Sequence, residues 1–214
     1  MLPITIQALK YLEWGLSVVP VGAIVVDDLG TKKVNFPVHW TPYQSKKATA
    51  EQIEEWFEVR KYPNIGCVTG KISNLFVLDA DSYKHNFDIK LFESFRIPPT
   101  PCQMTGRGGT QYFFFYDGDA RNAVGIFSKD SGMDIRANGG MVILPPSQTK
   151  LANGSYSSYS WSISPEDELF SPLPPQLQML FTKEVGARKA LPELVDIKEG
   201  EGRDNAMASF VGSL

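Results

Sequence analysis

The sequence predicts an α+β fold with mixed and antiparallel sheets. Helical periodicity crowds the first third, while β-rich runs punctuated by Gly, Asn or Pro fill the stretch after it. No period of solenoid length repeats along the chain. With 214 residues, 43% apolar and 21% charged, the chain is long enough to bury one substantial core.

Each element has a local reason. Leu9, Leu12 and Leu16 share one face of a first helix, and "SVVPVG" follows as an apolar strand. Residues 27–47 read as an irregular connection or short hairpin ending in Lys46-Lys47, a phosphate-backbone contact or a solvated basic loop. Thr49 and Gln52 have capping-box spacing, and Ile53, Trp56 and Phe57 form the apolar stripe of the helix they open. "NIGCVTG" and "LFVLDAD", separated by "KISN", read as a hairpin. Residues 86–95 form a short helix stopped by Pro98 and Pro99. Three β-rich stretches come next, "CQMTGRGGTQYFFFY", "GMDIRANGGMVILPPS" and "YSSYSW", and "PPQLQMLFTKEV" closes the domain as a helix. The expected boundary puts one globular domain at 1–185. At 186–214 it puts a linker and the start of a following helical module, because "RDNAMASFVGSL" opens an amphipathic helix with nothing to bury its apolar side. The chain is therefore expected to be a fragment of a longer protein.

Charge leaves a nucleic-acid partner open. The net charge is −3, but residues 161–214 carry nine acidic and five basic residues, against 15 and 16 in the first 160. The acidity sits in the tail. Cys67 and Cys102 lack neighbours at metal-ligand spacing, so a zinc site is not expected and a reducing cytoplasm is. Lys10 and Glu13 interrupt the apolar N-terminus, which argues against a signal peptide or a membrane span.

Three motifs carry possible chemistry. Asp79 and Asp81 lie two apart at the end of an apolar strand, so their carboxylates face the same way. They read either as a solvated strand end or as ligands of a hard divalent ion. Asp134 and Arg136 share one face of "GMDIR", ahead of a strong hairpin turn at Asn138-Gly139-Gly140. Taken together, the three aspartates favour a magnesium or manganese cluster of the kind used in two-metal phosphoryl transfer. "GRGGTQYFFF" offers Gly106, Gly108 and Gly109 for close approach of an anion, and Arg107 for charge. It also reads as a distorted RNA-stacking signature, or as a hairpin feeding Tyr112 and Phe114 to the core. His39 and His85 read as structural or surface positions, and Cys67 as a small buried apolar group.

These blocks, in this order, resemble the N-terminal primase-polymerase domain of plasmid, phage and mobile-element replication proteins, within the archaeo-eukaryotic primase superfamily. The resemblance runs from "ALKYLEWGLSVVPV" to Trp161 and includes "W-x-x-Y-Q" at 40–44 and "EQIEEWF". It implies a two-part catalytic domain whose second part is RRM-like. It also implies template-directed DNA primase or polymerase chemistry on nucleoside triphosphates, with helical and helicase modules downstream. Asp79, Asp81 and Asp134 match the family's metal-binding carboxylates. Arg107, Gly108, Gly109, Gln111 and Arg136 are then expected to bind nucleotide. Two departures stand out. Gln111 occupies the position usually held by histidine, and Phe36 stands where a lysine precedes the proline, leaving Lys33 or Lys46 to substitute. Glutamine donates hydrogen bonds but carries no proton charge, which predicts a weaker nucleotide contact with less pH dependence. A non-catalytic single-strand binder and a metal-dependent phosphodiesterase are the alternatives.

Overall fold

The structure is a computed structural model and describes residues 1–116, 118–123 and 131–179. Helix α1 (Pro3–Glu13) starts on a proline, tolerated because the first-turn N–H groups have no helical partner. It buries Thr5, Ala8 and Tyr11, while Leu9 and Leu12 are only partly covered. The buried face is therefore rotated from the leucine stripe, and small Ala8 lets the helix approach the sheet. Strands β1 (Ser17–Val21), β2 (Ile24–Val26) and β3 (Lys32–Val34) follow. β2 and β3 form a hairpin whose turn is held by Asp27 Oδ1, which accepts from the Leu29 and Thr31 N–H groups at 3.1 and 2.8 Å.

Helix α2 (Ala50–Glu54) has the expected capping box: Gln52 N–H donates to Thr49 Oγ1, and Thr49 N–H donates to Gln52 Oε1. A π-helical turn, Glu55–Val59, continues it and buries Trp56 and Phe57. Then come β4 (Asn64–Val68), β5 (Leu75–Ala80), α3 (Ile89–Ser94), β6 (Cys102–Met104), β7 (Thr110–Phe115), β8 (Met133–Arg136) and β9 (Met141–Leu144). The last described elements are β10 (Gln148–Lys150), β11 (Tyr156–Ser158), β12 (Ser160–Ile163), β13 (Ser171–Pro172) and α4 (Pro175–Gln178). α3 is the predicted short helix, and Asp88 caps it by accepting from Leu91 N–H at 3.0 Å. α4 lies near the start of the stretch predicted as the closing helix, the end of which falls outside the described residues. The expectations for 186–214 lie outside the described residues, and Met1–Gln178 forms one compact unit.

The fold is α+β, with three sheets ordered β1-β4-β9, β11-β10-β2-β3 and β12-β6-β7-β5-β8, and β13 added beside β7. All pairings between the named strands are antiparallel except β10 with β2 and β13 with β7. Two expectations fail here. "NIGCVTG" and "LFVLDAD" meet only at a single antiparallel Gly70–Leu75 bridge and do not continue as a hairpin, since β4 joins β1 and β9 while β5 joins β7 and β8. Asn138-Gly139-Gly140 likewise turns the chain from β8 in one sheet to β9 in another. All five residues of β4 are buried, so it needs partners on both edges and cover on both faces, and a single hairpin supplies neither. The two sheet-switching turns lock each other. Gly70 (φ +87°) lies so close to Asn138 that a Cβ there would fall 2.6 Å from the Asn138 Cα, and Lys71 N–H donates to Asn138 Oδ1 at 2.8 Å.

One apolar cluster joins the helices to two of the sheets, drawing Tyr11 from α1, Ile53 from α2, Phe57, Ile65 from β4, Val77 from β5 and Phe113 from β7. Tyr11 is its polar tie. Its hydroxyl donates to the Pro145 carbonyl at 2.8 Å and accepts from Trp161 Nε1 at 3.0 Å. Tyr11→Phe leaves the buried Pro145 carbonyl and the partly buried Trp161 N–H unmet and is expected to lower stability by about 1–3 kcal/mol. A lower denaturant midpoint at unchanged slope is the expected reading, and an unmoved midpoint would refute the tie.

Candidate active site

The site lies on the face of the large sheet that also carries its core. Val77 and Phe113 are paired across β5 and β7 and belong to the apolar cluster. One step of two residues along each strand brings Asp79 opposite Gln111. The same row continues in both directions, with Gln103 opposite Gln111 and Asp134 opposite Asp79. Directly paired residues project to the same side of a sheet. A polar row, Gln103–Gln111–Asp79–Asp134, thus borders the core across four strands.

Asp81 lies just beyond β5, anchored by its N–H to the Gly132 carbonyl at 2.7 Å. Among the described residues, no three His, Cys, Asp or Glu side chains are grouped closely enough to ligate one ion as they stand. Two cations instead hold the carboxylates: Arg136 Nη2 lies 2.9 Å from Asp134 Oδ2 and 3.9 Å from Asp79 Oδ2, and Lys84 Nζ lies 2.9 Å from Asp81 Oδ2. These pairs do not neutralise Asp79. Burial, then the charge of Asp81, raises its pKa from 3.8 to about 6, and the Gln111 amide and Arg136 offset only part of that. Asp79 Oδ1 is buried without a hydrogen-bond partner. A buried carboxylate oxygen with no donor, beside two more carboxylates, suits a hard cation.

The glycine-rich turn divides its work. Gly108 takes φ +87° and faces open space. At Gly109 a Cβ would overlap Asp81 Oδ1, so this glycine makes room for the Asp81 carboxylate. At Gly106 a Cβ would crowd Thr149. Arg107 lies over the Tyr83 ring with its guanidinium carbon 5.5 Å from the centroid. Burial and the charge of Asp81 push the Tyr83 phenol up to about 12. Gln111 is 6% exposed and shares its face with Phe113; of the two rings expected in the core, Phe114 is buried and Tyr112 only partly.

Other expectations resolve at the surface and in the core. His39 and His85 are exposed, and Cys67 is fully buried, which pushes its thiol up to about 12. Lys33 pairs with Asp27 at 3.2 Å, Lys46 is exposed, and Phe36 is 41% exposed beside Trp40. Sequence reasoning missed Gln103, Lys84 and Tyr83. The lone polar side chain in "PCQMT" was the available sign for Gln103, but its partners depend on register.

A family model, bifunctional DNA primase/polymerase, N-terminal (Prim-Pol), matches residues 8–176. The chain belongs to the Prim-Pol family. The match takes in every residue of the polar row, the glycine-rich turn and Trp161. Membership makes the domain one of a family of primase/polymerase-type nucleotidyltransferases, which implies binding of DNA and nucleotides. A search of curated proteins finds no match. Among the described residues of this Prim-Pol chain, no helix is long and apolar enough to cross a membrane.

Proposed function

We propose that this Prim-Pol domain is a template-dependent nucleotidyltransferase, a DNA primase or DNA polymerase that makes or extends chains from nucleoside triphosphates. The observation carrying this reading is the unpartnered, buried Asp79 Oδ1 in a row with Asp134 and next to Asp81. These three carboxylates would hold divalent magnesium or manganese. Such ions, when bound, lower the pKa of a 3′-hydroxyl and stabilise charge on the departing pyrophosphate. Arg107 and Arg136 supply positive charge for the triphosphate, Gly108 leaves backbone room for it, and Gln111 donates an N–H to it. The antiparallel order β6-β7-β5-β8, with α3 connecting β5 to β6, supports an RRM-like second part. The DNA template, the replication of a phage, plasmid or mobile element in a prokaryotic cytoplasm, and the downstream modules complete the proposal.

Incorporation of labelled nucleotide on a primed or unprimed template, with magnesium or manganese, tests it. Templated product and released pyrophosphate are expected, and both should vanish in the Asp79→Ala, Asp81→Ala double variant. Activity surviving that change would overturn the mechanism. Nucleotide release without pyrophosphate would make the domain a phosphodiesterase. Single-strand binding indifferent to metal and nucleotide would make it a non-catalytic module.

A further inference from the structure

Gln103 has no role in anything described so far, yet it is fully buried in the polar row. Its amide nitrogen makes two hydrogen bonds: Nε2 donates to the Ile143 carbonyl at 2.7 Å and to Gln111 Oε1 at 2.6 Å. The first bond decides the second. A backbone carbonyl only accepts, so the Gln103 nitrogen, not its oxygen, must face β9. The other hydrogen of that nitrogen then faces Gln111 and can be met only by the Gln111 oxygen. With its oxygen committed to β6, Gln111 has only its NH2 left for the other neighbour in the row, Asp79, which stands directly opposite on β5.

We propose that Gln103 is a positioning residue that fixes Gln111 as a pure donor on the Asp79 side of the row. The orientation of one amide is thereby passed from a main-chain carbonyl of the neighbouring sheet into the site. Without that anchor a glutamine at 111 has two nearly isosteric orientations, one of which presents an oxygen to the carboxylates and to any phosphate. Burial of both amides raises the cost of the wrong orientation, because a donor left without an acceptor there has no water to replace it. The consequence for nucleotide binding rests on the proposed nucleotidyltransferase reading, whereas the orientation itself does not.

Two measurements separate these. In the unliganded wild-type protein, nuclear Overhauser contacts of the Gln111 side-chain NH2 protons should be stronger to the Asp79 methylene protons than to the Gln103 side-chain NH2. Stronger contacts to the Gln103 NH2 would overturn the proposal whatever the domain binds. The second is a double-mutant cycle on equilibrium affinity for a deoxynucleoside triphosphate. Gln103→Glu replaces the donor with an acceptor of the same shape, and Gln103→Met removes both. Each is expected to weaken binding about tenfold in the wild-type background and to have little further effect in a Gln111→Ala background. An equal loss in both backgrounds would mean that Gln103 is only structural and would overturn the proposal. If Gln111→Ala leaves affinity unchanged while the NH2 contacts run to Asp79, the orientation stands and the nucleotide contact assigned to Gln111 fails.

Discussion

Asp79→Asn is expected to abolish templated incorporation, a loss of roughly 10³-fold or more, while making the metal-free protein more stable. Both effects have one cause. The Asp79 carboxylate is buried next to Asp81 and Asp134, with one oxygen lacking any donor, and its pKa is raised from 3.8 to about 6. A carboxyl that binds its proton more tightly when folded contributes stability fully present below the unfolded value. That contribution is lost as pH rises through the folded value. In chelator, therefore, wild-type stability should fall between about pH 4 and pH 6 through this group and then level off. The asparagine side chain has nearly the same shape and no charge. It should remove that component and gain on the order of 1–3 kcal/mol above pH 6. Denaturant unfolding of both proteins across that range checks it. An asparagine variant less stable than wild type at pH 8 in chelator would show that Asp79 is not a destabilising charge in the fold.

Gly109→Ala should cost roughly 10²-fold in incorporation, because a displacement of about 1 Å at a reacting group has an effect of that size. The added methyl would overlap Asp81 Oδ1 and lie 3.3 Å from both the Ala80 carbonyl and Thr105 Oγ1. The Asp81 carboxylate, a side-chain end and the nearest of the three, is the group that must shift. The unfolding midpoint should move far less than the activity, since no core residue is displaced. Gly154→Ala is the control. It meets no neighbouring atom, and its penalty comes from the left-handed backbone, so it should act mainly on stability. Equal activity losses in the two variants would contradict the assignment of Gly109 to Asp81.

Much of this molecule is legible in its residues because the causes are local. The Thr49–Gln52 capping box and the termination of α3 before Pro98 follow from causes that act within a few residues of the backbone they affect. Asp79 and Asp134 stand out because a carboxylate inside an apolar strand is costly and demands a reason. Gln111 stands out because it replaces an expected residue in an otherwise matching strand. The two turns around Gly70 and Gly139 are equally legible as turns, but their sequences say nothing about which sheet the outgoing strand enters. That choice belongs to partners far along the chain, and both hairpin expectations fail on it.

The sequence alone determines the helix caps, the places where the chain reverses, the family and the carboxylates available to a site, since each rests on residue type and short spacing. Only the tertiary structure decides that Gln103, Gln111, Asp79 and Asp134 stand in one row, and that Lys84 and Arg136 hold the acids. The physical reason is register. Side chains alternate along every strand, so a slip of one residue in any pairing would turn that member of the row to the opposite face. What holds each pairing in place is the burial of Val77 and Phe113 one step away, an interaction summed over the whole core and written in no single stretch of the chain.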